Sequence, residues 1–155
     1  CELTAQASPA THASLAEILR DASDALMRVR GTRGLWYQVL DQGARPDDYE
    51  ETSATLMIAY ALMKGARLGV LSPELGAAGA QSLQGCLDRF LTKENLHGIC
   101  GVAGLGNVPY RDGSYEYYLS EPVVMNDPKG VGALFMALSE GLQVPASFFG
   151  SKSPT

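Results

Sequence analysis

Charged and hydroxyl-bearing side chains precede two long apolar runs in the sequence. Glu50, Glu51, Thr52 and Ser53 stand before the first run, and Asn126, Asp127 and Lys129 stand before the second. A third group lies between the runs, on a predicted loop: Tyr110, Arg111, Asp112, Tyr115, Glu116 and Tyr117. If the two runs are helices that point the same way, their positive ends would meet near Lys129 and Arg111. Such an arrangement suits an anionic ligand.

Two adjacent aromatic residues, Trp36 and Tyr37, stand a short polar loop ahead of the first apolar run. Read as an exposed pair at the mouth of a site, they offer faces on which a sugar ring can stack. An equally weighted interpretation makes them core aromatics that close a helix end. For each charged residue taken singly, a helix cap or a solvated loop group is the favoured alternative to a functional role.

Several familiar chemistries are not indicated. Residues 101–106, GVAGLG, lack the dinucleotide-binding spacing and lead to Pro109 rather than to a helix. His12 and His97 have no ligand spacing around them, and the three cysteines fit neither a zinc site nor a disulfide framework. We therefore predict free, mostly buried thiols, no metal and no cofactor.

Composition indicates one globular domain: the chain has 155 residues, 46% of them hydrophobic and 19% charged. A net charge of −5 without a basic cluster argues against a nucleic-acid partner, and no apolar run reaches the length of a membrane span. The sequence opens on Cys1 with no secretory pattern, so its start resembles a cut. The localisation stays open, with the cytoplasm favoured over secretion.

Four helices are predicted, at about 13–30, 52–67, 73–92 and from 127 through Leu138. A capping box, Ser14 with Glu17, is expected to start the first helix. The first and third helices are amphipathic, while the second and fourth are apolar all round. This alternation suits helical hairpins whose second members form the inner layer of an α/α toroid.

Two hairpins alone would leave both inner helices exposed on one side. The chain is therefore predicted to be a single incomplete domain, with loose ends at 1–12 and 146–155. Between the last two helices lies one long loop or short β-hairpin at about 98–120, with Asp112 and Gly113 as its turn signal. Trp36 begins a stretch, 36–41, that is expected to form a short strand or an extended edge.

Five segments carry a family resemblance: 34–41 (GLWYQVLD), 51–55 (ETSAT), 60–65 (YALMKG), 110–118 (YRDGSYEYY) and 126–132 (NDPKGVG). In this order they resemble the unsaturated rhamnogalacturonyl and glucuronyl hydrolases of glycoside hydrolase families 105 and 88. The resemblance implies an all-α fold that is part of an (α/α)6 barrel. It also implies hydrolysis that begins with hydration of the C4=C5 double bond of an unsaturated uronyl disaccharide, a substrate related to pectin breakdown.

In that family a catalytic Asp lies in a Trp-x-Asp motif in the N-terminal half, followed by an Arg-x-x-Gly-Trp segment. Neither motif occurs in this sequence, so the chain looks like the C-terminal portion, holds no catalytic residue and is expected to be inactive alone. By the resemblance, the residues that would border the substrate are Trp36, Tyr37, Glu51, Ser53, Tyr110, Arg111, Asp112, Tyr115 and Lys129. Its partner would be the N-terminal portion of the barrel. The alternative function is a non-catalytic helical module that binds acidic oligosaccharide or a protein.

Overall fold

The computed structural model describes residue 2 and residues 4–150 of the chain. Its helices are α1 (Thr4–Ala7), α2 (Pro9–Arg28), α3 (Thr52–Arg67), α4 (Pro73–Phe90), α5 (Tyr115–Ser120) and α6 (Pro128–Gly141). Two short strands, β1 (Ile99–Cys100) and β2 (Val123–Val124), pair antiparallel, with Ile99 opposite Val124 and Cys100 opposite Val123. A 3-10 turn, Ala146–Phe149, follows the last helix.

Helix α3 is the centre of the packing, since it contacts both α4 and α6. Leu56, Ala59 and Met63 are fully buried on it, beside Leu83 of α4 and Ala137 of α6. Burying such side chains stabilises the fold by about 1.5–3 kcal/mol for each large one. The prediction that residues 52–67 form an inner helix is confirmed.

Helix α6 starts as the sequence predicts, with Asp127 as its N-cap and Pro128 in its first turn. One of its faces packs on α3, but Phe135 is 67% exposed and Met136 is 44% exposed. Met57 of α3 is exposed as well. Each inner helix therefore presents apolar side chains to solvent, as expected of hairpins that form only part of a toroid.

The start predicted for the first long helix is wrong. Helix α2 begins at Pro9, and Ser14 lies inside it, where its hydroxyl donates to the Ala10 carbonyl at 3.3 Å. Proline is favoured in the first helical turn, so Ser8 and Pro9 were the true start signal. Residues 4–7 and 9–12 are helical rather than loose.

The C-terminal end also differs from the prediction. Residues 146–149 form a 3-10 turn in which Phe148 and Phe149 are half-buried against the main core, so they are not loose. The remaining predicted loose residues, 151–155, lie outside the described residues. The predicted thiol of Cys1 does too, whereas Cys86 and Cys100 are free and buried as predicted.

The long segment after α4 is more structured than a single hairpin. It holds β1, an isolated bridge between Gly106 and Arg111, and the short helix α5 before the chain returns through β2. The predicted turn at Asp112 and Gly113 is wrong: the Asp112 carboxylate accepts the amide of Ser114 at 2.9 Å and leads into α5. Short polar side chains bond readily to nearby backbone, which is why this pair serves the start of a helix here.

Candidate functional site

A strip of backbone at residues 96–101 joins the N-terminal ends of the two inner helices. At α3, the Thr52 hydroxyl donates to the His97 carbonyl at 2.7 Å, and the Thr52 amide donates to the Gly98 carbonyl at 2.9 Å. At α6, the Asn126 amide donates to the Leu96 carbonyl at 2.9 Å. The two positive helix ends thus lie at the same end of the molecule, which was the condition for a shared site.

Glu51 caps α3 and holds it to the strip. Its carboxylate accepts hydrogen bonds from the Ser53 hydroxyl at 2.8 Å, from the Ala54 amide at 2.5 Å and from the Cys100 amide at 2.8 Å. Glu51 and Ser53 are both buried. The oxygens that sequence reasoning assigned to substrate are occupied by the protein, so both residues position the helix end.

Lys129 plays the corresponding part at α6, although it is exposed. Its ammonium donates to the Gly101 carbonyl at 2.5 Å and lies 3.1 Å from the Asp127 carboxylate. The Lys129 amide also donates to Asp127 at 3.0 Å, and this bond holds the pKa of that carboxyl below its usual range. A lysine has three donors, so Lys129 can still bond an anionic group that approaches from solvent.

Trp36 is not part of an exposed pair. It is 0% exposed, its indole N–H donates to the Leu26 carbonyl at 2.8 Å, and its amide donates to the Thr55 hydroxyl at 3.1 Å. It packs with Leu62 and Leu71 in a second core cluster. The interpretation as a core aromatic at a helix end is the one that the structure supports.

Tyr37, unlike the adjacent Trp36, is not part of the core. It is half-buried and makes an isolated antiparallel bridge with Glu50, so the predicted extended edge is reduced to a single pair. Its ring fills the space in which a side chain on Gly43 would stand, 2.4 Å from the position of such a Cβ. Tyr37 therefore anchors the 42–48 loop and stays partly exposed.

The first three loop residues named from the sequence are exposed or bond within their own loop. Tyr110 is 79% exposed, and the Arg111 guanidinium donates to the Gly106 carbonyl at 3.2 Å within its own loop. Asp112 is exposed, and the Ser114 amide lowers the pKa of its carboxyl. Tyr110 thus ends the turn at 107–110, Arg111 closes that turn through its bridge with Gly106, and Asp112 follows it.

Tyr115 instead contacts the 42–48 loop. The Arg45 guanidinium lies 3.3 Å from the centre of the Tyr115 ring, and Arg45 also pairs with Glu116 at 3.4 Å. A cation over an aromatic face is attracted by the ring's charge distribution. The loop and α5 are therefore held together across a long sequence distance.

A charged cluster that the sequence analysis missed lies beside this loop. The buried Glu50 carboxylate accepts bonds from Arg33 Nε at 3.0 Å and Nη2 at 2.9 Å, and Arg89 Nε lies 2.9 Å from it. Glu50 was named as a candidate, but its two partners come from distant segments. No spacing in the sequence predicts that Arg33 and Arg89 contact Glu50, because folding alone brings them together.

Polar groups next to this cluster are shifted toward their neutral forms. Asp48 and Tyr49 are half-buried, and burial raises the pKa of the Asp48 carboxyl and that of the Tyr49 phenol. One Asp48 carboxylate oxygen accepts the Tyr49 amide at 2.9 Å, while the other is buried without a hydrogen bond. Burial beside Glu50 thus disfavours the charged forms of both groups.

In the part of the chain that the structure describes, no helix has both the length and the apolar character needed to cross a bilayer. Among the same residues, no group of three or more His, Cys, Asp and Glu side chains is placed to hold a metal ion.

Comparison with known proteins places this chain in a family. The model of Glycosyl Hydrolase Family 88 matches residues 5–144. The chain is 48% identical to the 24.9 kDa protein in picA locus of Rhizobium radiobacter, over 70% of this chain and 52% of that protein. It is also 46% identical to unsaturated rhamnogalacturonyl hydrolase YesR of Bacillus subtilis, but over 50 residues only. The chain thus spans about half the length of the Rhizobium relative.

Solved structures share the fold. A glycoside hydrolase from family 105 of C. acetobutylicum superimposes with a TM-score of 0.81 at 43% identity, covering 84% of this chain and 38% of that one. A possible family 105 member from Salmonella enterica gives a TM-score of 0.72 at 23% identity, covering 84% of this chain and 32% of the other. The predicted all-α fold, part of an (α/α)6 barrel, is confirmed. The predicted resemblance is confirmed too, and the chain belongs to glycosyl hydrolase family 88.

Proposed function

We propose that this chain forms one wall of the substrate pocket in a glycoside hydrolase that acts on unsaturated uronyl disaccharides by hydration of the C4=C5 double bond. The observation that carries the proposal is the strip at 96–101, which holds the N-terminal ends of α3 and α6 together. The two helix N-termini are capped by Glu51 and Asp127, so the group that favours a negatively charged ligand here is the exposed Lys129 ammonium. A uronate is such a ligand.

The similarity to a named hydrolase supports the substrate class. The 46% identity to an unsaturated rhamnogalacturonyl hydrolase is confined to 50 residues, which cover 14% of that protein. On this basis we propose that the substrate carries an unsaturated uronyl group and that this group is linked to rhamnose. Within the wall, the exposed Lys129 ammonium keeps one of its three donors for the carboxylate, and Tyr37 is half-buried.

The chain alone should not turn over substrate. The Trp-x-Asp motif of the family's proton donor does not occur in it, and the single tryptophan, Trp36, is followed by Tyr37 and Gln38. We propose that the exposed apolar face of α6, with Phe135 and Met136, is covered by the rest of the barrel. The wall and the proton donor would then come from different portions of one enzyme.

A chimera tests the proposal directly. This chain would replace the matching portion of the C. acetobutylicum glycoside hydrolase, and loss of the ultraviolet absorbance of an unsaturated galacturonyl-rhamnose disaccharide would be followed. We expect turnover by the chimera and by the intact Clostridium protein, and none by the chain alone. Turnover by the chain above a buffer blank would contradict its inactivity, and a folded, inactive chimera beside an active parent would contradict the pocket assignment.

The alternative, a non-catalytic module that binds acidic oligosaccharide or a protein, makes a different prediction. Such a module would bind its ligand with no help from further helices, and its grafting into the Clostridium protein would not preserve turnover. The same chimera therefore separates the two functions.

A further inference from the structure

A cleft of about 460 Å³ lies beside the 42–48 loop, and it shares only Tyr37 and Gly98 with the proposed pocket wall. Its lining includes three arginines, Arg33, Arg45 and Arg89, whose side chains are between 44% and 58% exposed. Against them stand Glu50 and Asp48. Among the lining residues this leaves one positive charge more than the acids carry, although Arg45 is also paired with Glu116 outside the lining.

The excess is built into the fold. Glu50 is 4% exposed and is held between Arg33 and Arg89, so its single negative charge is shared by two cations. Arg33 uses Nε and Nη2 on this carboxylate, and Arg89 uses Nε. Each guanidinium carries five N–H donors, and the donors that Glu50 does not use are available on the exposed side of each group. The buried carboxylate thus fixes two guanidinium planes at the cleft.

Aromatic and glycine residues shape the rest of the cleft. Tyr37 and Phe90 line it, and each ring packs closely on a glycine, Tyr37 on Gly43 and Phe90 on Gly98. Ring faces and edges next to charged donors suit a sugar that carries a carboxylate, because the ring packs while the guanidiniums bind the acid. An isolated inorganic anion would use the arginines and leave the aromatic surface unused.

We propose that this cleft is an accessory subsite for a saturated uronate residue of an acidic oligosaccharide, bound through its carboxylate by Arg33 and Arg89. The proposal rests on the proposed function for the nature of the oligosaccharide. Gly98 belongs both to the cleft and to the strip that joins the helix ends, so the subsite neighbours the pocket wall. The enzyme would therefore accept a chain longer than a disaccharide.

Binding of a saturated sugar acid to the chain tests the subsite without requiring catalysis. Sodium galacturonate would be titrated into the wild-type chain at low salt and followed by nuclear magnetic resonance of the arginine Nε–H groups. Galactose, which has the same ring without the acid, and inorganic phosphate are the comparison probes. We expect galacturonate to shift the Arg33 and Arg89 signals, galactose to leave them unmoved and phosphate to bind about tenfold more weakly.

Arg89→Gln removes one charge and leaves Arg33 to pair with Glu50, so it is the informative variant. We expect its affinity for galacturonate to fall about tenfold. Arg20→Gln makes the same charge change on α2, where Arg20 bonds the Val70 carbonyl, and should bind as the wild type does. If Arg89→Gln does not fold, Arg45→Gln, which leaves the Glu50 cluster intact, should show a smaller loss.

Three results would overturn the subsite: equal binding of galactose and galacturonate, phosphate binding as tightly as galacturonate, or unchanged affinity in the folded Arg89→Gln variant. Galacturonate lacks the C4=C5 double bond and is not a substrate of the proposed reaction. A chimera that is active while galacturonate fails to bind would refute the subsite alone. An inactive chimera beside intact galacturonate binding would refute the proposed reaction alone.

Discussion

The Glu51 carboxylate accepts the backbone amide hydrogen of Cys100 at 2.8 Å, although the two residues are 49 positions apart. The same carboxylate caps α3 through the Ala54 amide. One buried acid therefore satisfies the free donors of a helix end and those of a neighbouring strand. This contact makes the position of β1 depend on α3.

Replacing Glu51 by Ala should destabilise the chain by about 2–4 kcal/mol, because a helix cap is lost and the buried Cys100 amide is left without an acceptor. Urea unfolding followed by circular dichroism measures the change. Ser72→Ala is the control, since Ser72 caps α4 at an exposed site through a 3.4 Å bond to the Leu75 amide. It should cost at most about 1 kcal/mol, and equal losses would contradict the bridging role of Glu51.

The fluorescence of Trp36 should change on unfolding but not on ligand binding. It is the single tryptophan of the chain and is 0% exposed. We expect blue-shifted fluorescence that iodide does not quench and that galacturonate or an unsaturated disaccharide does not alter. The urea-unfolded chain provides the exposed reference, and native quenching that approaches this reference would show that the indole is accessible.

Two glycines of α6 should respond oppositely to alanine. A Cβ on Gly130 would lie 2.5 Å from Ile99 Cδ1, whereas one on Gly132 would have no neighbouring atom within 4 Å. Gly130→Ala should cost about 1–3 kcal/mol through overpacking against β1, despite the better helix propensity of alanine. Gly132→Ala should stabilise the chain by up to about 1 kcal/mol. Denaturant midpoints of the two variants, measured together, check this contrast.

Asp127 should contribute to acid unfolding. Its pKa is lowered in the folded chain, first by the Lys129 amide, so its contribution is full above the unfolded value of about 3.9. That contribution is lost as the pH falls through the lowered folded value. Asp127→Asn keeps a good helix cap but removes the titrating group. The stability of this variant should therefore decline less than that of the wild type between about pH 6 and about pH 2. Parallel decline of the two proteins, measured by urea midpoints, would exclude this linkage.

Lys129→Ala should weaken substrate binding in the active chimera. The pocket assignment predicts a KM for the unsaturated disaccharide that is about tenfold higher, with kcat less affected, because a charge-assisted contact to the uronate is removed. Lys93→Ala is the matched control, since Lys93 is exposed in the turn after α4. An unchanged KM in a folded Lys129→Ala chimera would remove this residue from the site.

The inner helices could be predicted because their signals are local. Asp127 and Pro128 give a start to α6 that needs no tertiary contact, and the apolar run after Thr52 is too long and continuous to be a surface helix. The start of α2 could have been found in the same way, from Pro9. It was missed because Ser14 and Glu17 have the spacing of a capping box but lie within the helix.

The site could be predicted only in part, because its geometry depends on contacts between distant residues. Trp36 has the residue type of a sugar-stacking group, yet the Leu26 carbonyl and the core around Leu62 hold it inside. Glu50 was visible as an acid, but its role is set by Arg33 and Arg89, which approach only after folding. The residue types suit the proposed acidic-sugar site, whereas burial decides which of them a ligand could contact.

The strip at 96–101 has a consequence for how the molecule opens. Since Thr52 and Asn126 bond to the same few residues, neither inner helix can release its first turn without loosening the anchor of the other. Amide hydrogen exchange at Thr52, Leu96, Cys100 and Asn126 should then follow one common rate, as a single cooperative unit would. The first turns of α3 and α6 would therefore open together, and a ligand that stabilises one of them would slow amide exchange in both.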